Sequence, residues 1–127
     1  MEISKLPDSE YEIMDYIWEQ TPPVTSAMVM ENVGKQKQWK AQTLLTLLSR
    51  LCDRGFLTGE KKLGREKAFY PLISRQQYLQ SETRTFARQF HRGSAVSLLA
   101  AFADEMLSEN EIDELEQLIK QMRERSR

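Results

Sequence analysis

With 127 residues, 40% of them apolar and 29% charged, the chain can bury one ordinary core or two small ones, and at this size it leaves much surface open to a partner copy. A single cysteine excludes an internal disulfide and fits a reducing compartment; no apolar run reaches membrane-span length, and the start MEISKLPDSE has no secretory hydrophobic region, so a cytoplasmic protein without membrane insertion is expected. The net charge of −1 conceals an asymmetry: residues 1–34 carry seven acids against Lys5, net −6, whereas residues 35–75 carry ten bases against three acids, net +7, and the local field steers a polyanion more than the total does.

Pro7-Asp8 ahead of a periodic run predicts a first helix from about Asp8, with Ile13, Met14, Ile17 and Trp18 on one face, stopping before Pro22-Pro23. Thr25 can cap a short second helix over 26–33 with Val29, Met30 and Val33 as its apolar members. Gly34 then punctuates, and Lys35-Gln36-Lys37-Gln38 reads as a turn. The third helix, over 41–54, has the clearest stripe: Leu44, Leu47, Leu48 and Leu51 recur at i, i+3, i+4, i+7, and Gly55 suits its end. The period then changes. Phe56-Leu57-Thr58 and Ala68-Phe69-Tyr70-Pro71-Leu72 are strand formers around a basic stretch from Gly59 to Lys67. They predict a hairpin about Gly64, with Pro71 suited to an edge.

Helix, helix, helix, hairpin is the order of a winged helix-turn-helix, with the third helix for recognition and the hairpin as the wing. Beyond it, Ser74 with Gln77 forms a capping box that opens a fourth helix, on which Leu79, Phe86 and Phe90 share a face until Gly93. A fifth helix over 94–106 carries Val96, Leu99, Phe102, Ala103 and Met106. Ser108 with Glu111 caps a last helix, to about Glu124, striped by Ile112, Leu115, Leu118, Ile119 and Met122. The expected fold is mostly α with a small β-hairpin wing: a winged helix over 1–73 and a helical dimerisation region over 74–127. The second region is too small to cover its own apolar faces, so Phe86, Phe90, Leu99, Ile112, Leu115, Leu118, Ile119 and Met122 are expected to meet a second copy.

On the third helix, Gln42, Thr46, Ser49 and Arg50 lie opposite the leucines, with Thr43 beside Arg50 and Lys40 just ahead. Gln can pair with adenine, a Thr methyl can touch thymine, and Arg or Lys can hold phosphate; a solvated helix face would look the same on these residues alone. Lys61, Lys62, Arg65 and Lys67 of the hairpin suit phosphate or the minor groove, although a solvated edge strand also favours Lys. Arg84, Arg88 and Arg92 read as a solvated stripe, Cys52 as a small core residue, and His91 lacks companions for a metal site. No catalytic residue, cofactor or metal is expected. A helical module docking a protein rather than DNA is the alternative, and exposed aromatics on the third helix would mark it.

In chain order, Glu10-Tyr11-Glu12-Ile13-Met14 with Ile17-Trp18, Trp39, Thr43, Leu47, Arg50-Leu51, Gly55, Tyr70-Pro71-Leu72, Gly93-Ser94 and Leu107-Ser108-Glu109-Asn110-Glu111-Ile112 resemble the BlaI/MecI family of penicillinase repressors. The resemblance runs from about Ile3 to Ile119. It implies a cytoplasmic homodimer whose winged helices bind double-stranded operator DNA with an inverted repeat and repress by occluding a promoter, as in β-lactam-resistance operons. It also implies a membrane sensor protease that triggers cleavage within the fifth helix. The chain departs from the family pattern at Leu45, where members often carry a base, and at Lys40-Ala41, where they often carry Ser-Pro. The bond aligned with the Asn-Phe cleavage site is Ala101-Phe102. Residues 116–127 lack the paired cysteines of copper-responsive relatives, so copper sensing is not expected.

Overall fold

The computed structural model describes residues 3–63 and 66–127, and for residues 60–63 it describes the backbone alone. Helix α1 is Asp8–Trp18, entered from the extended residue Pro7, with Asp8 and Glu10 in its first turn where the helix dipole favours acids. Ile13, Met14 and Ile17 are fully buried. A two-residue strand β1, Val24–Thr25, follows; it is too short for any periodicity to announce. The hydroxyl of Thr25 accepts from Met28 N at 3.2 Å and opens the next helix.

That helix, α2, runs over 26–37 and corrects the expected stop at Gly34. It comprises Ser26–Val29, a π-helical segment Met30–Gly34 and a last turn Lys35–Lys37. Gly34 is buried inside it, and a Cβ there would collide with Met30 Sδ. The glycine gives room to the Met30 side chain and plays no part in chain reversal. Reversal falls to Gln38 in the left-handed region, φ 58°, after which Trp39 N donates to Gly34 O at 2.9 Å. Helix α3 is Ala41–Asp53. Its end is a Schellman motif: Gly55 at φ +82° donates to Cys52 O and Phe56 N donates to Leu51 O at 2.9 Å.

Strands β2, Leu57–Leu63, and β3, Glu66–Pro71, are antiparallel, and the sheet order is β1-β3-β2. Pro71 is therefore not on an edge strand but ends the central one. The ladder to β1 engages only Ala68 and Phe69, so it stops short of Pro71 and no hydrogen bond is lost there. Gly64, the expected tip of the hairpin, lies outside the described residues.

Helix α4, Arg75–His91, opens on the Ser74 box: Ser74 N donates to Gln77 Oε1 at 2.8 Å and Gln77 N to Ser74 Oγ at 3.1 Å. Arg92 and Gly93, both at positive φ, end it. Helix α5, Ala95–Met106, is capped by Ser94, and α6, Glu109–Arg125, by a full Ser108–Glu111 box. Among the described residues no helix is long and apolar enough to cross a membrane.

The chain packs as two compact units, Met1–Glu82 and Thr83–Arg127. The first thus reaches past residue 73, because the start of α4 is anchored in it. Tyr78, 4% exposed, lies 5.6–5.8 Å from the rings of Phe56, Trp18 and Tyr11, and its hydroxyl accepts from Leu6 N at 2.9 Å. Burial pushes the Tyr78 hydroxyl pKa up to about 12. Trp18 Nε1 donates to Ile73 O at 2.8 Å. In the second unit no described residue is buried.

Candidate nucleic-acid interface

The four leucines of the stripe decide what α3 shows to solvent. Leu44, Leu47, Leu48 and Leu51 are all buried in the core of the first unit. The helix is thereby held in one rotation, and Gln42, Thr43, Thr46, Ser49 and Arg50 are all exposed, with Lys40 exposed and extended immediately ahead. The face opposite the leucines carries no aromatic ring. Thr46 Oγ1 donates to Gln42 O at 3.0 Å; with its proton used inside the helix, Thr46 offers a methyl and an acceptor oxygen outward. Leu45, which the sequence marks only as a departure from the family pattern, is exposed on this helix although it is a leucine. Its signal was available: it stands off the i, i+3, i+4, i+7 series.

The wing is tied to α3 at its base. A Cβ at Gly59 would lie 2.6 Å from Cys52 Sγ, so only glycine lets β2 approach the helix this closely, next to a register shift between Thr58 and Lys61. Further along, the register sets Lys61 opposite Ala68 and Lys62 opposite Lys67. Lys67 is exposed. Of Lys61 and Lys62 the backbone pairing alone is described, and Arg65 lies outside the described residues.

Folding sorts the seven bases of 35–75 whose side chains are described into two groups. Lys35 pairs with Glu31 at 2.9 Å and Lys37 with Glu12 at 2.8 Å. Arg54 Nε stands 3.0 Å from Glu10 Oε1, an ion-pair distance without the alignment of a hydrogen bond, and Glu10 is 1% exposed. Arg75 reaches Asp15 at 2.6 Å and Glu19 at 2.7 Å and lies over the Trp18 ring; its hydrogen bond to Asp15 holds the guanidinium pKa above its usual value. The acidic N-terminal third thus neutralises four of the bases that the sequence counts toward a polyanion. Among the described side chains no ion pair engages Lys40, Arg50 or Lys67, and these three belong to α3 and the wing.

In the second unit Phe86, Phe90, Ile112, Leu118, Ile119 and Met122 are between 42% and 61% exposed, while Leu99 and Leu115 are half-buried. Ala101 is exposed and Phe102 half-buried, both inside the continuous helix α5. Among the described residues no group of three or more His, Cys, Asp or Glu is placed to hold a metal ion.

This arrangement can be set beside known proteins. A family model described as penicillinase repressor matches residues 6–121. The chain is 29% identical over 126 residues to the penicillinase repressor of Bacillus licheniformis, across 98% of this chain and 97% of that one. It is 28% identical over 116 residues to the methicillin resistance regulatory protein MecI of Staphylococcus aureus (strain N315), across 91% and 93%. The solution structure of the DNA binding domain of the repressor BlaI superposes with a TM-score of 0.53 at 30% identity, covering 61% of this chain and 94% of that one. The Bacillus licheniformis BlaI monomeric form in complex with the blaP half-operator does so with a TM-score of 0.51 at 30% identity, covering 61% and 92%. The chain belongs to the penicillinase repressor family of DNA-binding winged-helix transcriptional repressors, which includes regulators of antibiotic resistance.

Proposed function

We propose that this chain represses transcription as a homodimer that binds a two-fold-symmetric operator and occludes a promoter, in an operon of the β-lactam-resistance type. Residues 1–73 form the DNA-reading part. Gln42, Thr43, Thr46 and Ser49 meet base edges; Lys40, Arg50, Lys61, Lys62, Arg65 and Lys67 hold phosphate. Residues 83–127, the second compact unit, form the dimerisation part. The observation that carries the dimer is the unfilled second unit: it has no buried described residue, yet it exposes Phe86, Phe90, Ile112, Leu118, Ile119 and Met122. Covering the exposed half of each such side chain stabilises an assembly by roughly 1 kcal/mol, and a second copy of the same surface covers them symmetrically.

Leu118→Asp tests this better than a change at Leu115, because Leu118 is exposed in the single chain and Leu115 already half-covered. Light scattering should give a dimer for the wild type at micromolar concentration and a monomer for Leu118→Asp. The monomer should keep its half-site affinity and lose the gain from linking two half-sites, on the order of 10²-fold. A monomeric wild type sinks the proposal. The same reading assigns induction to a membrane sensor protease acting at Ala101-Phe102. The bond lies within helix α5, so the cut requires local opening, and it severs α6 with its apolar stripe. Mass spectrometry of the protein from induced cells checks this: derepression with the 101–102 bond intact removes the protease and leaves the repressor.

A further inference from the structure

Leu45 stands apart on the surface of α3. It is 37% exposed although the helix has a complete leucine stripe for the core at Leu44, Leu47, Leu48 and Leu51. It follows Gln42 by three residues and precedes Ser49 by four, so helical geometry makes both its surface neighbours. Its exposed helical neighbours are the polar Gln42 and Ser49 and the small Ala41; Arg50 on the same helix and Lys40 just ahead of it are exposed, and among the described side chains no ion pair engages either. A protein-docking face with this much positive charge and no aromatic anchor would be unusual. A duplex fits all the features at once. Its phosphates match the bases, its adenines match Gln42, and its major groove offers one apolar group: the thymine C5 methyl.

We infer that Leu45 is a specificity-determining residue that packs against a thymine methyl in each operator half-site, beside the base pair read by Gln42. The inference rests on the operator-binding reading above. Leu45 lies in the second turn from the N-terminus of α3, the part of a recognition helix that approaches base edges. Thr46, the next residue, has its hydroxyl proton engaged by Gln42 O, so Leu45 and Thr46 together present an apolar edge next to the Gln42 amide. A polar base edge in the same place would desolvate without a partner, and a cytosine there would lack the methyl. Leu45 therefore selects thymine by contact and rejects the alternatives by omission.

The test uses the full chain and a duplex that the wild type itself enriches from a random-sequence library. Each thymine of that duplex is replaced in turn by deoxyuridine, which removes the methyl and leaves the pairing edge. Affinities are measured for the wild type and for Leu45→Ala, with thermal melting to establish that the variant folds; Leu45 is 37% exposed and outside the buried core, so the melting temperature should fall by only a few degrees. At one thymine per half-site the wild type should lose about fourfold on removal of the methyl, the factor that burying one such group is worth. Leu45→Ala should bind the thymine duplex about as weakly as the wild type binds the deoxyuridine duplex, and should be indifferent to the replacement. Enrichment of a sequence whose every thymine tolerates deoxyuridine within twofold overturns the inference and leaves the repressor standing. An equal loss for Leu45→Ala on methyl removal also overturns it. Failure to enrich any sequence overturns the operator reading itself, and this inference with it.

Discussion

A salt titration of DNA binding shows which bases meet phosphate. By sequence, residues 35–75 offer ten bases per chain. In the folded chain Lys35, Lys37, Arg54 and Arg75 are each paired with an acid of residues 1–34. The surface pairs are weak in themselves, but the carboxylate stays within a Debye length of its base, so a phosphate meets the field of the pair rather than of a free cation. At most six bases remain, and log K against log salt should fall with a slope no steeper than about −5 per half-site, against about −9 if all ten bases counted. Fluorescence anisotropy over a potassium chloride series, on a duplex carrying one half-site, measures it. Arg50→Gln should flatten the slope by about 1 and weaken binding to every sequence alike. Lys35→Gln and Lys37→Gln should leave the slope where it is. If they flatten it as much as Arg50→Gln does, the sorting of bases is wrong.

Gln42→Ala should cut the preference for operator over random DNA by about 1–3 kcal/mol with random binding unchanged; equal losses on both, in competition gel shifts, remove Gln42 from base reading. Thr46→Val keeps the methyl and gives up a hydroxyl spent inside the helix, so it should cost less affinity than Thr46→Ala, and the reverse order contradicts the geometry. Arg54→Met leaves the Glu10 carboxylate buried without its cation. Because Arg54 is itself part-exposed, the loss in urea unfolding should be about 1–3 kcal/mol, with part of it recovered in the double variant with Glu10→Leu. Tyr78, with a pKa raised from 10.0 to about 12, holds its proton in the folded chain where the unfolded chain releases it. Its contribution is complete below pH 10 and is lost as pH rises toward 12, about 2–3 kcal/mol in all. In Tyr78→Phe, thermal unfolding should show a correspondingly shallower decline over that interval.

Much of the fold could be read along the chain because its determinants are local. The α3 stripe, the Gly55 stop, the Ser74–Gln77 and Ser108–Glu111 boxes and the Gly93 break all act through neighbours a few residues away, and the structure has them where the periodicity and capping chemistry put them. The polar face of α3 follows from the same stripe, since burying Leu44, Leu47, Leu48 and Leu51 leaves Gln42, Thr43, Thr46, Ser49 and Arg50 outside. Other features depend on partners distant in sequence. Gly34 looks like a helix end, and only its burial beside Met30 shows it to be helical. Pro71 looks like an edge residue until β1, forty-odd residues upstream, takes the other side of β3. The N-terminal unit extends into α4 because Tyr78 docks on Tyr11, Trp18 and Phe56. The charge asymmetry between residues 1–34 and 35–75 was plain in the sequence. The Glu31–Lys35 pair is local, four residues apart on one helix; that Glu10, Glu12, Asp15 and Glu19 would take up Lys37, Arg54 and Arg75, with no ion pair on Lys40, Arg50 or Lys67 among the described side chains, was settled by tertiary structure, because those pairs depend on distances that folding alone sets.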